Sequence, residues 1–189
     1  MTTAARVVDK LKERFTDGVL EVVEGVGEIT VVISRERVVE ICQFLKSDPD
    51  LRYDLLVDVA GVDYLGREPR FEVVYHLYSI PHNHRLRLKV RVPEHDLVVP
   101  SVVPVWRTAN WHEREAFDML GIRFADHPDL RRIYMPDDYP GHPLRKDFPM
   151  MGPEVEASPR DDARTLEQSP PPFISKIWRR RDIRGKRER

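Results

Sequence analysis

The sequence has a single cysteine, Cys42, among 189 residues. One thiol closes no internal disulfide and builds no thiolate metal site alone, so a reducing cytoplasm is the expected setting. Long apolar runs are lacking too. No stretch approaches the ~20 residues that a membrane-spanning helix needs. The opening Met1–Arg6 lacks the apolar core of a signal peptide. Net charge is nearly absent, with 31 Lys and Arg against 32 Asp and Glu, a balance that argues against a dedicated nucleic-acid binder. Phosphate loops of the GxxxxGK[ST] type do not occur. Gly25-Val26-Gly27 opens like a dinucleotide fingerprint, but Thr30 stands at the third glycine position and a hairpin surrounds it. His112-Glu113-Arg114-Glu115-Ala116 begins like the zinc-protease motif HExxH. The second ligand position is Ala116, so that reading fails. His82 and His84 could share a metal on a turn, although a solvated loop is the favoured reading. The residues offer no convincing active site of their own.

What is present is unevenly spread. From Lys176 to Arg189 eight basic residues face two acids, a net of +6, which leaves the preceding chain at −7. Ten of the 16 prolines fall from Pro128 onward. Each removes an amide donor and fixes φ, so that region carries no long helix or central strand. The organisation expected is a folded domain over 1–107, a helix and irregular arm over 108–150, and an extended tail over 151–189 with a basic end.

The first part reads as α-β-β-α-β-β-β, an α+β two-layer sandwich. Ala4, Val8, Leu11 and Phe15 recur at helical spacing, and Asp17-Gly18 stops that helix. Leu20–Val22 and Ile29–Ile33 flank a turn at Glu24–Gly27. Ser34 can cap a second helix whose apolar face is Val38, Ile41, Cys42 and Leu45, with Asp48-Pro49 as its stop. On that face Cys42 reads as a small core residue. Strands are expected over 55–62, 70–80 and 85–92. A loop at Pro81–His84 would set Tyr78 opposite Arg87. Leu86, Leu88, Val90 and Val92 then face the core with Phe71, Val73, Tyr75 and Leu77. The opposite face carries Arg85, Arg87, Lys89 and Arg91, either as a solvated row or as a docking surface for an acidic partner or RNA.

A third helix is expected over 111–120. Asn110 and Glu113 form a capping-box pattern, and Gly121 is a C-terminal stop. Ala116, Phe117, Met119 and Leu120 make the apolar stripe, with Glu113 projecting into it. Arg114, Glu115 and Asp118 lie opposite, with Arg114 and Asp118 spaced to pair. They are either solvated or turned toward another protein. Asp126-His127-Pro128-Asp129 starts a short turn through Leu130, Arg131 and Arg132. The segment from Tyr139 to Pro149 is too rich in proline to fold on itself, and its residue types are those of an interface.

Four words at fixed spacing carry a resemblance: Ala109-Asn110-Trp111-His112-Glu113-Arg114-Glu115, Phe117-Asp118-Met119-Leu120-Gly121, His127-Pro128-Asp129-Leu130-Arg131-Arg132-Ile133, and Gly141-His142-Pro143-Leu144-Arg145-Lys146-Asp147-Phe148-Pro149. Together they resemble the 30-kDa subunit of respiratory complex I, the C-type subunit of the bacterial NADH–quinone oxidoreductase. The match is dense over about 40 residues, 109–149. The resemblance implies a non-redox structural subunit of the hydrophilic arm of a proton-translocating enzyme. Its implied partners are other hydrophilic-arm subunits, above all the large quinone-cavity protein of the 49-kDa type. Flavin, iron–sulfur clusters and quinone are implied in partner subunits, with none in this chain, and a lone cysteine agrees, since a cluster typically takes four. The chain alone is expected to be inactive. Its implied place is peripheral, on the cytoplasmic side of the cell membrane, with no nucleic-acid partner. Glu113, Arg114, Glu115, Asp118, Arg131, Arg132, Arg145, Lys146 and Asp147 are the residues expected to fix the arm on a neighbouring subunit. The alternatives are the equivalent subunit of a related membrane-bound hydrogenase or other-donor dehydrogenase, and, less favoured, an RNA-associated protein.

Overall fold

The structure is a computed structural model and describes residues 3–25, 28–150 and 152. The expectation of an extended tail lies, apart from Gly152, outside them. Helix α1 (Thr3–Arg14) buries Val7, Val8 and Leu11, with Phe15 just beyond it. Strands β1 (Val19–Glu24) and β2 (Ile29–Ile33) form the expected hairpin. A 3-10 turn, Arg35–Arg37, then leads into α2 (Val38–Ser47), which buries Val38, Ile41, Cys42 and Leu45. Ser34 therefore does not cap α2. It precedes the turn, and its hydroxyl donates to the Glu36 carboxylate instead of accepting a backbone N–H.

Strands β3 (Leu55–Asp63), β4 (Phe71–Ser79) and β5 (His84–Val92) complete a five-stranded sheet in the order β1-β2-β5-β4-β3. All neighbours are antiparallel except β2 and β5, which run parallel at its centre. The inward residues of the sheet share one apolar cluster with α1, α2 and α3 (Ala109–Leu120). The α+β two-layer arrangement read from the sequence is thus the observed one. The expected division at residue 107 is not a boundary, because Ala109, Ala116, Met119 and Leu120 belong to that same core.

The β4–β5 register differs from expectation by two positions. Tyr78 faces Arg85 and His76 faces Arg87, so the loop runs Ile80–Asn83. Asn83 takes the left-handed conformation at φ +50°, and its side-chain oxygen accepts the Tyr78 hydroxyl at 2.6 Å. A two-residue shift preserves side-chain parity, so both face assignments stand. On the outer face Arg87, Lys89 and Arg91 meet Glu28, Glu72 and Glu21 respectively.

Two further strands carry no signal in the sequence. β6 (Val98–Pro100) and β7 (Arg123–Ala125) pair in parallel on either side of α3. Three residues are too few to display a period of two.

Candidate functional site

The candidate site is the junction where residues 126–150 fold back over the end of α3. It begins at Gly61 of β3. A Cβ there would lie 2.4 Å from Leu120 Cδ1 and 3.1 Å from Ile122 Cδ1, so glycine lets α3 sit directly on the strand. Gly121 closes the helix as expected, left-handed at φ +79°. Its amide donates to the carbonyl of Phe117.

The other three C-terminal carbonyls of α3 are met by the arm. Asp118 O accepts from His142 Nδ1 at 2.9 Å, Met119 O from the Leu144 amide at 3.1 Å, and Leu120 O from Arg145 Nε at 2.7 Å. A helix end leaves four such acceptors without internal partners, and here one segment satisfies three of them. Arg145 also brings positive charge to the negative end of the helix dipole. The residue types of the proline-rich segment are those of an interface, and within this chain the segment already lies on α3. With N–H groups missing at its prolines, it is held by side chains and by carbonyls from elsewhere.

Asp118 is the second fastening. It is fully buried. Its Oδ2 accepts the amides of Ile133, Tyr134 and Met135 at 3.0, 2.7 and 2.9 Å, and Oδ1 accepts Arg132 Nη1 at 2.8 Å. Burial alone would raise its pKa, but three amides and a guanidinium outweigh it and hold the carboxyl below the usual range. Arg132 continues to the carbonyls of Tyr139 and Gly141. Arg114, also buried, donates to the carbonyls of Arg131 and Arg132, with its guanidinium 5.2 Å from the Trp111 ring centre. The expected Arg114–Asp118 pair is replaced by two separate grips on residues 131–135. Asp118 is satisfied by three amides and Arg132, while Arg114 turns its donors to the backbone carbonyls of Arg131 and Arg132.

Arg70, immediately before β4, is the third. Its buried guanidinium makes a bidentate pair with Asp63 at 2.8 and 2.9 Å, reaches Glu94 at 2.6 Å, and holds Asp147 of the arm at 2.8 Å. Asp63 also accepts the Lys146 amide at 2.8 Å. Hydrogen bonds from Arg70 keep Asp63 and Asp147 below the usual carboxylate range, against the opposing effect of burial.

Glu113 does not cap its own helix. Thr108 is the N-cap residue, in α conformation and without a side-chain cap. The Glu113 side chain instead turns inward, fully buried, and accepts Ser101 Oγ at 2.6 Å and the Val102 amide at 2.8 Å. His127 Nε2 lies 3.9 Å away. Desolvation pushes Glu113 up to about 7, offset in part by those two donors. Burial, and secondarily Glu113 itself, raise the Cys42 thiol and the Tyr75 phenol.

The nine residues singled out from the sequence therefore fall into two groups. Glu113, Arg114 and Asp118 lie inside the chain's own fold, with Arg132 and Arg145 half-buried against it. Glu115, Arg131, Lys146 and Asp147 are exposed. Sequence reasoning missed Arg70, Asp63 and Glu94. Opposite charges at the two ends of the β3–β4 loop, Asp63 and Arg70, were the available signal. Around this junction Trp111, Tyr134 and Leu144 remain 63%, 60% and 57% exposed. Among the described residues no group of three or more His, Cys, Asp or Glu could hold a metal ion, and no helix is long and apolar enough to cross a membrane.

Comparison with known proteins addresses sheet and arm together. The family model described as "Respiratory-chain NADH dehydrogenase, 30 Kd subunit" matches residues 31–154. The C-type subunit of NADH-quinone oxidoreductase from Geotalea uraniireducens (strain Rf4) is 56% identical over 151 residues, covering 80% of this chain and 91% of its own length. That of Geobacter sulfurreducens is 57% identical over 152 residues, covering 80% and 93%. A solved trypsin-resistant fragment (1-134) of Nqo5 superposes with a TM-score of 0.60 at 34% identity, over 68% of this chain and all of the fragment. A chain of an archaeal membrane-bound sulfane sulfur reductase shares the fold at 21% identity, with a TM-score of 0.65 over 87% of this chain and 89% of its own. The match begins in β2 and ends beyond the last fastening of the arm. The chain belongs to the family of the 30-kDa subunit of the respiratory-chain NADH dehydrogenase.

Proposed function

We propose that this chain is a non-redox structural subunit in the hydrophilic arm of NADH–quinone oxidoreductase. It supports electron transfer from NADH to quinone by packing on the large quinone-cavity subunit at the cytoplasmic side of the membrane. Flavin, iron–sulfur clusters and quinone belong to other subunits, and the chain alone oxidises no NADH. Family membership and the relatives' names support the complex.

The observation that carries the packing role is the latched arm. Its buried charges are matched within the chain, while Trp111, Tyr134 and Leu144 stand exposed. Exposed aromatic and aliphatic side chains on a fixed backbone suit the buried centre of an interface, and the surrounding Glu115, Arg131, Lys146 and Asp147 suit its polar rim. Glu113, Arg114, Asp118, Arg132 and Arg145 act by holding that surface in shape. Asp147 and Arg131 have partners within the chain, Arg70 and Asp129; Glu115 and Lys146 need counterparts on the neighbour wherever contact dries them.

Affinity purification of the tagged full chain from its host's membranes tests this reading. The expected result is recovery of an NADH-oxidising assembly that includes the quinone-cavity subunit, and no NADH oxidation by the isolated chain. Recovery without any respiratory subunit would overturn it.

A further inference from the structure

The outer face of the sheet carries a second surface, remote in sequence from the arm. A bulge between Leu56 and Asp58 leaves Val57 as the extra residue of edge strand β3, 51% exposed. Bulges re-aim a side chain and interrupt the regular ladder of an edge. Here Val57, exposed Leu55, His76 of β4, Arg85 of β5 and the ion pair of Glu28 with Arg87 line a groove of about 290 Å³. Tyr78 forms part of its wall and is fixed by its bond to Asn83. The cations of β5 are not alike. Arg87, Lys89 and Arg91 each meet a carboxylate of this chain, at Glu28, Glu72 and Glu21. Arg85, which lines the groove, meets none among the described residues.

We propose that this groove docks an acidic segment of a neighbouring protein in the assembled complex, a reading that rests on the membership proposed above. One carboxylate of the segment meets Arg85, and adjoining apolar side chains cover Leu55 and Val57. Charge decides the occupant. Three of the four cations are paired with carboxylates of this chain, so among the described residues Arg85 is the cation of this face left without a carboxylate, beside two aliphatic side chains. Nucleic acid binds through many phosphates at once, and its affinity scales with the number neutralised. One cation without a carboxylate partner among the described residues, on an apolar margin, suits one carboxylate better. The bulge at Val57 sets the geometry, because an interrupted edge does not accept a regular added strand; the segment lies across the face.

The test uses the full chain in its host, with Val57→p-benzoylphenylalanine as a photocrosslinker, in the purified intact complex. The expected product is one crosslinked segment of a neighbouring subunit with Asp or Glu within a few residues of the attachment point. Arg85→Glu should lower that crosslink at least ~tenfold, since like charges at a contact are strongly unfavourable. Reversing the partner's carboxylate to Lys should restore it. Arg85→Gln, which introduces no repulsion, should lower it less, and both variants should keep the wild-type urea midpoint because Arg85 is exposed. An intact complex containing the chain but giving no crosslink from position 57 would overturn the groove while leaving membership standing. So would crosslinks to RNA, or a crosslink indifferent to Arg85→Glu. Absence of the chain from the complex would overturn both readings.

Discussion

Replacing Asp118 by alanine should unlatch the arm while leaving the sheet folded. The carboxylate accepts three backbone amides and one guanidinium from full burial. Hydrogen bonds to a charged group contribute about 1.5–3 kcal/mol each, but four such values do not add. Once the grip is lost, residues 131–135 can turn outward and be rehydrated. The ceiling is the free energy of holding the arm, and removal of one member of a buried ion pair suggests about 3–5 kcal/mol. Asp118→Asn keeps a carbonyl acceptor and loses the charge, so roughly half that loss is expected. The assay is urea unfolding of the isolated full chain with hydrogen exchange resolved by segment. The amides of Ile133, Tyr134, Met135 and Leu144 should lose protection, and the central strands β2, β4 and β5 should keep theirs. A variant with wild-type protection at those four amides and a stability change below about 0.5 kcal/mol would refute the assignment of Asp118 as the hub.

Other outcomes follow from the same geometry. The lowered pKa of Asp118, Asp63 and Asp147 means that their contribution is fully present above the ordinary carboxylate value of about 3.9 and is lost as pH falls through the lower native values; arm protection should therefore fail at acid pH before the core does. Glu113 has the opposite sign. Its native pKa is raised to about 7 from 4.5, so the folded state binds the extra proton and stability declines as pH rises from about 4.5 to about 7, by at most about 3 kcal/mol. Glu113→Gln, measured by unfolding across that window, should flatten the decline; an unchanged slope would mean that Glu113 is not its source. Gly61→Ala places a methyl group 2.4 Å from Leu120 Cδ1 and should cost about 1–3 kcal/mol by overpacking, read as a lower thermal midpoint; a neutral substitution would show that α3 has room to move away from β3.

The parts legible from sequence are those whose signal is local. The apolar stripe of α2, the alternation Leu86–Val92 and the Gly121 stop each depend on neighbours a few residues away, and each appears as read. Glu113 shows the opposite case. Asn110 and Glu113 have capping-box spacing, yet buried donors at Ser101 and Val102 compete for the carboxylate and win. Nothing in the spacing announces a partner eleven or twelve residues away on another element. The arm's docking onto its own helix is not legible for a related reason. A proline-dense segment has no periodicity, so its docking surface is written in tertiary contacts: the free carbonyls at the end of α3, and Arg70 seventy-seven residues from Asp147. The β4–β5 register lies two positions from the one the sequence suggests because the turn depends on one residue, Asn83, adopting positive φ.

The central claim is that these residues support electron transfer by shape and not by chemistry. The direct measurement is NADH–quinone activity per assembled complex in membranes of a host whose own copy is replaced by the Asp118→Ala chain. The expected result is fewer assembled complexes, with each that forms turning over at the wild-type rate. A full complement of complexes with reduced turnover in each would contradict the claim and place the junction in the reaction itself.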